Sequence, residues 1–316
     1  MRVVRSVQQV EHDRNSVVTV GTFDGVHLAH QEILREVVHR ARMREGRSIV
    51  VTFDPHPKEV VGTFAEPIHL LTTIEERVKL VQEFGVELML ILEFTYEFSR
   101  QDARTFYEKY LVNGTGVSEV VVGYDHMFGR DRQGTIEELV RLGKEYDFSV
   151  FALHPYTING EIVSSTQVRR ALLAGDVERA HVFLGRPYML EGIVVRGDGR
   201  GRQLGFPTAN ISPVGRNKLI PARGVYVVEV RMDGRRFFGM MNIGVRPTVT
   251  DGTSQVLEVH LFDFDREIYG KELTLSFLKR LRAEQRFTSQ QELVRQLASD
   301  REASLKVVAS LSRAEL

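Results

Sequence analysis

The chain has 316 residues, no cysteine, 42% hydrophobic residues, and 42 basic side chains balanced by 42 acidic ones. That length and apolar content suit about two domains with real cores; zero net charge argues against a nucleic-acid partner, and the missing cysteine excludes disulfides and thiolate metal sites. The opening residues, MRVVRSVQQVEHDR, lack an apolar signal core, and the longest apolar run, around Leu88–Leu92, is far too short to cross a bilayer, so a cytoplasmic protein with no membrane partner is expected.

In chain order, Ser16–Val20 reads as a short strand. Residues 28–45 follow with Ile33, Leu34, Val37, Val38 and Ala41 at helical spacing, and Gly46 is a stop signal. Ser48–Phe53 is a second buried strand, Thr72–Phe84 a helix, and Glu87–Leu92 a third strand. Ser99–Asp102 has the form of a capping box that opens another helix. Glu119–Val122, a helix at Thr135–Tyr146 and Ser149–Leu153 complete the series. Strands alternating with helices predict an α/β domain with a parallel sheet.

The rhythm changes near Leu184–Arg186, where the boundary between domains 1–184 and 185–316 is placed. Glu191–Val195, Gly224–Arg231, Arg236–Ile243, Val256–Phe262 and Glu272–Phe277 are all strand-like, separated by turns such as Asp233-Gly234. No helical pattern returns until Thr288, so a small antiparallel β domain with a terminal helix is expected.

The first strand runs into Gly21-Thr-Phe23-Asp-Gly25-Val-His27-Leu-Ala-His30, with a helix behind it. Ligands of open α/β sheets gather at strand carboxyl ends, and free helix N–H groups there favour phosphate. Two histidines at a spacing of three would both face one ligand. Taken alone, His-x-x-His reads better as two surface histidines on a turn. A zinc pair is disfavoured because the helical metal spacing is four and no third ligand is evident.

In this context the stretch resembles the HxGH nucleotidyltransferases, and specifically the adenylyltransferase half of bacterial bifunctional riboflavin kinase/FAD synthetases. The resemblance continues through Thr52-Phe53-Asp54-Pro55-His56-Pro57, Val122-Gly123-Tyr-Asp125-His-Met-Phe128-Gly129 and Ser164-Ser165-Thr166-Gln-Val-Arg169. It implies that His27, His30 and Arg169 act on ATP phosphates, and that Gly21, Phe23, Gly25, Ser165 and Thr166 help to bind ATP. It further implies that Asp54, Pro55, His56, Pro57, Asp125 and Phe128 line the flavin side. Two departures stand out: Ala29 replaces the family's usual glycine, and His126 stands where the family often has Phe.

In the second half, Gly197-Asp-Gly199-Arg-Gly201-Arg-Gln-Leu-Gly205-Phe-Pro207-Thr208-Ala-Asn210 follows a strand. Pro207 rules out a dinucleotide-binding helix, and the GK[ST] ending of a P-loop is missing. A wide β-turn would explain the glycines but not Pro-Thr-Ala-Asn. The stretch is similar to the flavokinase signature, as are Gly224-Val-Tyr226, Asn242-Ile-Gly244-Val-Arg246-Pro247-Thr248 and Glu258-Val-His260. The resemblance implies a six-stranded split β-barrel, phosphate contacts at Gly199 and Gly201, Mg²⁺ held by Thr208 and Asn210, and Glu258 as the base for the riboflavin hydroxyl. Strand alternation puts Glu258 and His260 on one face, opposite Leu257, Val259 and Leu261.

Together these resemblances imply two activities, riboflavin to FMN and FMN to FAD, with ATP as co-substrate and Mg²⁺ as cofactor. The implied partners are small molecules, riboflavin, FMN and ATP; a homo-oligomer is compatible with the sequence. Three alternatives are weighed: a degenerate adenylyl site with Ala29 as the suspect; a non-catalytic flavin or nucleotide sensor, which the retained His27, His30, Arg169, Thr208, Asn210 and Glu258 argue against; and a β-barrel that binds nucleic acid, which lacks the expected basic surplus.

Overall fold

The alternation in the first half becomes a six-stranded parallel sheet in the computed structural model, which describes residues 1–62, 68–130, 134–197, 199–247 and 253–314. Asp198 and Thr248, both named above, lie outside those residues. The sheet is built from β1 (Arg2–Val4), β2 (Ser16–Val20), β3 (Ser48–Asp54), β4 (Leu88–Glu93), β5 (Val117–Val122) and β6 (Ser149–Ala152), in the order β1-β4-β3-β2-β5-β6. Every residue of β2 is buried, as are the first six of β3 and the first five of β4. Burial on both faces is why these strands read as unbroken apolar runs rather than alternations. The three-residue β1 is too short to carry a pattern and pairs with β4.

The strand order reverses between β2 and β5. The helix α1 (Leu28–Met43) leaves β2 at that switch point, where ligands of open α/β sheets bind. The connections carry α2 (Pro57–Val61), α3 (Ile74–Gln82), the short helices α4 (Tyr96–Ser99), α5 (Ala103–Phe106) and α6 (Asn113–Thr115), and α7 (Ile136–Tyr146). Ser99–Asp102 is not a capping box. Ser99 closes α4, and Asp102 itself caps α5 by accepting from Thr105 N, with no acidic side chain reaching back. Capping boxes lie instead at α2 and at α3; at α3 Thr73 accepts from Glu76 N and the Glu76 carboxylate accepts from Thr73 N.

The chain divides into two compact units, Met1–Ser165 and Thr166–Leu316. After the hairpin β7 (Thr157–Ile158) and β8 (Glu161–Ile162) come two helices, α8 (Ser165–Ala174) and α9 (Val177–Leu184). Within the second unit they dock on the β structure. Arg280 Nη1 donates to Ala174 O at 3.1 Å, and Ala222 N to Leu172 O at 2.9 Å.

The β structure is a closed antiparallel barrel of β9 (Tyr188–Val195), β10 (Ala209–Pro213), β11 (Gly224–Met232), β12 (Arg235–Pro247), β13 (Thr253–Leu261) and β14 (Glu272–Arg282), in the order β10-β13-β12-β11-β14-β9. A one-turn helix, α10 (Arg200–Gln203), interrupts the glycine stretch, which the sequence reads as turn. Tyr226, Leu257, Val259, Leu275 and Phe277 are among the residues filling the core. Met240, Val225 and Phe262 form a second cluster with Phe206 and with Leu297 of α11 (Gln290–Ala314). Arg282 clamps that terminal helix through Asp300, whose carboxylate it meets at 2.8–3.1 Å.

Candidate active sites

In the first unit, the Gly21–Gly25 turn is held from beneath. Asp24 is 1% exposed, and its carboxylate accepts from Leu71 N, Thr72 N and Thr72 Oγ1 at 2.9–3.2 Å. Thr72 Oγ1 also accepts from Gly25 N at 3.0 Å. A carboxylate enclosed by several donors offsets its own desolvation, which explains an acidic residue in a buried turn. Gly25 has φ +86°, and a Cβ there would meet Leu71 Cδ1 at 2.7 Å. Phe23 is buried at φ +48°, with its ring 5.1 Å from that of His30.

His27 caps α1: its Nδ1 accepts from His30 N at 3.3 Å, and the two imidazoles stack at 3.6 Å. The pair therefore acts as one aromatic step at the helix N-terminus. Burial, with help from the Arg77 guanidinium, pushes His30 down to about 3, so it is a neutral imidazole at pH 7. Its Nδ1 is buried with no partner among the described residues. Ala29 takes the second position of α1 without a positive φ, so a methyl is accommodated there. Ser165 Oγ donates to Asp24 O at 2.8 Å, which ties Ser165 to the same turn. Thr166 and Arg169 follow on α8.

The residues assigned to the flavin side fall into two groups. Asp54 ends β3, pairs with Arg5 at 3.3 Å and precedes a cis bond to Pro55. His56 caps α2, with Pro57 at its first position, and Glu59 completes a capping box. Phe128 packs on Phe106 at 4.0 Å and on Phe53 at 5.7 Å, inside an aromatic cluster that also holds Phe98 and Tyr107. Asp125 is exposed. His126 bonds Tyr107 OH through Nε2 at 2.6 Å. Burial lowers His126 to about 4 and raises the Tyr107 phenol, so both are neutral.

In the second unit the site is written on the strand ladder. Asn210 of β10 lies directly across from Glu258 of β13, and Glu258 lies across from Asn242 of β12. Directly opposed residues have their Cβ atoms about 5 Å apart, so a carboxylate is flanked by two carboxamides. Pro207 precedes β10, and its carbonyl accepts from His260 Nδ1 at 2.8 Å. That bond places the ring proton on Nδ1, and burial holds His260 below its usual value.

The glycines serve the side chains here. A Cβ on Gly197 would fall 2.0 Å from Asn210 Nδ2, and one on Gly201 would fall 3.0 Å from Thr208 Oγ1. Gly199 has φ +69° with open space around it. Sequence reasoning gave no role to Asp24, Gly197 or His260. The available signal for His260 was its place on the same strand face as Glu258.

A parallel sheet with a His-x-x-His helix at its switch point, followed by a closed barrel carrying Pro-Thr-Ala-Asn against a strand glutamate, defines a nucleotidyltransferase-type unit joined to a flavokinase-type unit. Family models agree: FAD synthetase matches residues 9–167 and riboflavin kinase residues 184–308. The chain is 36% identical to the bifunctional riboflavin kinase/FMN adenylyltransferase of Listeria monocytogenes, over 95% of this chain and 94% of that one. It is 37% identical to the protein of the same description from Escherichia coli K12, over 95% and 96%. A solved structure described as a macrolide-efflux protein from Streptococcus pneumoniae superposes with a TM-score of 0.85 at 34% identity, covering 96% of this chain and 97% of that one. No helix among the described residues of this chain is long and apolar enough to cross a membrane. The chain belongs to the bifunctional riboflavin kinase/FMN adenylyltransferase family.

Proposed function

We infer that the chain catalyses two consecutive ATP-dependent reactions, riboflavin to FMN and FMN to FAD. In the first, the riboflavin hydroxyl oxygen bonds to the γ-phosphorus of ATP, ADP leaves, and Glu258 accepts the hydroxyl proton. In the second, an FMN phosphate oxygen bonds to the α-phosphorus of ATP and pyrophosphate leaves. That phosphate is already a nucleophile, so the second site needs positioning and charge stabilisation rather than a strong base. The observation that carries this reading is that one chain matches both family models, over residues 9–167 and 184–308.

The adenylyl phosphates are assigned to His27, His30, Ser165, Thr166 and Arg169, further ATP contacts to Gly21, Phe23 and Gly25, and the flavin to Asp54–Pro57, Asp125 and Phe128. Thr208 and Asn210 suit Mg²⁺, because both offer hard oxygens and both side chains rest against glycines that leave them room. When bound, Mg²⁺ would offset phosphate charge. Gly199 and Gly201 are assigned to phosphate contacts. Dependence on ATP supports a cytoplasmic location.

Incubation with riboflavin, ATP and Mg²⁺, followed by separation of the flavins, tests the reading. FAD is expected. FMN alone would show the adenylyl site to be degenerate, and no product would overturn the assignment. We place the functional boundary near Leu184–Arg186. A fragment from Thr166 and one from Leu184 should both form FMN and no FAD. The longer fragment should be the more stable, because α8 and α9 dock on the barrel.

A further inference from the structure

We propose that Arg77 is a positioning residue for the N-terminal site: its buried guanidinium sits beneath the phosphate turn and is neutralised by the phosphates of ATP or pyrophosphate rather than by a protein carboxylate. The proposal rests on the adenylyl reading above. Arg77 is 2% exposed on α3. Its Nη1 donates to two neutral acceptors, Thr52 Oγ1 at 3.3 Å and Phe53 O at 3.2 Å. Its Nε is buried with no partner among the described residues.

Four carboxylates act on Arg77 through space, Asp24, Asp54, Glu59 and Glu75, and the first three are engaged elsewhere. Asp24 is enclosed by Leu71 and Thr72, Asp54 pairs with Arg5, and Glu59 closes the cap of α2. A buried guanidinium stays charged, and one that hydrogen-bonds neutral oxygens while carboxylates act on it only through space is costly to the fold. Such a charge persists where a ligand completes it.

The connection to the site is short. Thr52 Oγ1, which accepts from Arg77, donates to Thr22 O at 3.2 Å, inside the Gly21–Gly25 turn. On the other side, Arg77 is close enough to His30 to disfavour its protonation. The positive charge therefore lies against Thr52 and Phe53 near the carboxyl end of β3, one hydrogen bond from the Gly21–Gly25 turn and within electrostatic reach of His30.

Three full-length variants test this: Arg77→Lys keeps the charge, Arg77→Gln keeps a donor without the charge, and Arg77→Met removes both. The measurements are FAD formation from FMN, inorganic pyrophosphate affinity by calorimetry, melting temperature, and riboflavin phosphorylation as a control in the other unit. The Gln and Met variants should lose about tenfold or more in FAD formation and in pyrophosphate affinity. Their melting temperatures should be unchanged or raised, and riboflavin phosphorylation should be untouched. The Lys variant should stay within about threefold of the parent. Near-normal pyrophosphate affinity in the Gln variant would overturn the proposal. So would a loss accompanied by a lowered melting temperature, or a Lys variant as impaired as the Gln one. Should the parent chain form no FAD from FMN, the adenylyl reading fails, and the pyrophosphate affinities still decide the role of Arg77.

Discussion

The two units hold their candidate site residues by different means. In the barrel, Asn210, Glu258 and Asn242 are neighbours because three strands hydrogen-bond in one register. In the sheet unit, the candidate residues lie on turns and helix ends beyond the strands, and a buried carboxylate, Asp24, fixes the Gly21–Gly25 turn from beneath. A ladder positions a side chain through many shared backbone bonds. A turn depends on one or two buried side chains, so its geometry should be lost more easily and more locally.

The sharpest test of the barrel half is Glu258→Gln, which keeps shape and removes basicity. General-base assistance is worth about 10²–10⁴ in rate, and FMN formation should fall by that factor with riboflavin binding kept. FAD formation from supplied FMN should be nearly unchanged in steady-state assays. Equal loss of both activities would mean misfolding, and near-normal phosphorylation would remove Glu258 as the base.

Asp24→Ala tests the other half. It leaves the Leu71 and Thr72 amides without their acceptor in a buried place, a cost of about 2–4 kcal/mol. The first unit should melt earlier and lose adenylyl transfer, while riboflavin phosphorylation survives. Unchanged melting would show that the turn does not depend on its staple, and the contrast between the units would weaken.

A smaller effect is expected at Gly197. Its added methyl would meet the Asn210 amide at 2.0 Å, which must then move. Gly197→Ala should lower FMN formation by about tenfold, the scale of one displaced polar contact. Gly199→Ala strains the backbone at φ +69° without touching Asn210, and should cost less activity. Equal effects at both glycines would mean that loop strain, rather than the seat of Asn210, governs the rate.

The smallest effect is Ala29→Gly. Glycine in the first turn of α1 costs up to about 1 kcal/mol of helix stability. FAD formation should change less than about threefold, and less than in His30→Ala. A large gain would show that the methyl obstructs ATP.

Much of this was legible in the sequence. The runs Ser16–Val20, Ser48–Phe53 and Glu87–Leu92 gave the parallel sheet, because strands covered on both faces are apolar throughout. Asp233-Gly234, with φ of 49° and 73°, gave a hairpin turn. The missed elements had no period to read. β1 has three residues, and β10, Ala209–Pro213, ends in a proline and follows a stretch that reads as loop.

The supporting residues of the site were hidden for a different reason. Asp24 and Arg77 look like ordinary surface charges until burial is known. For Arg77 one signal existed, since it lies three and four residues before Leu80 and Val81 on the apolar stripe of α3. Asn210 and Glu258 each came from a resemblance, but their pairing came only from strand register, which local sequence does not encode.

The barrel row that carries Glu258 also passes through Val225 to Arg282, the residue that clamps the terminal helix. The proposed base, the asparagine proposed for the metal side and the helix anchor thus share one circumferential band. Neighbouring positions in such a band are the ones whose substitutions fail to add. Epistasis in this enzyme should therefore follow the circumference of the barrel rather than the length of its strands, and a second-site suppressor of a lesion at Asn210 should arise at Glu258's other neighbour, Asn242, before it arises one residue along β10.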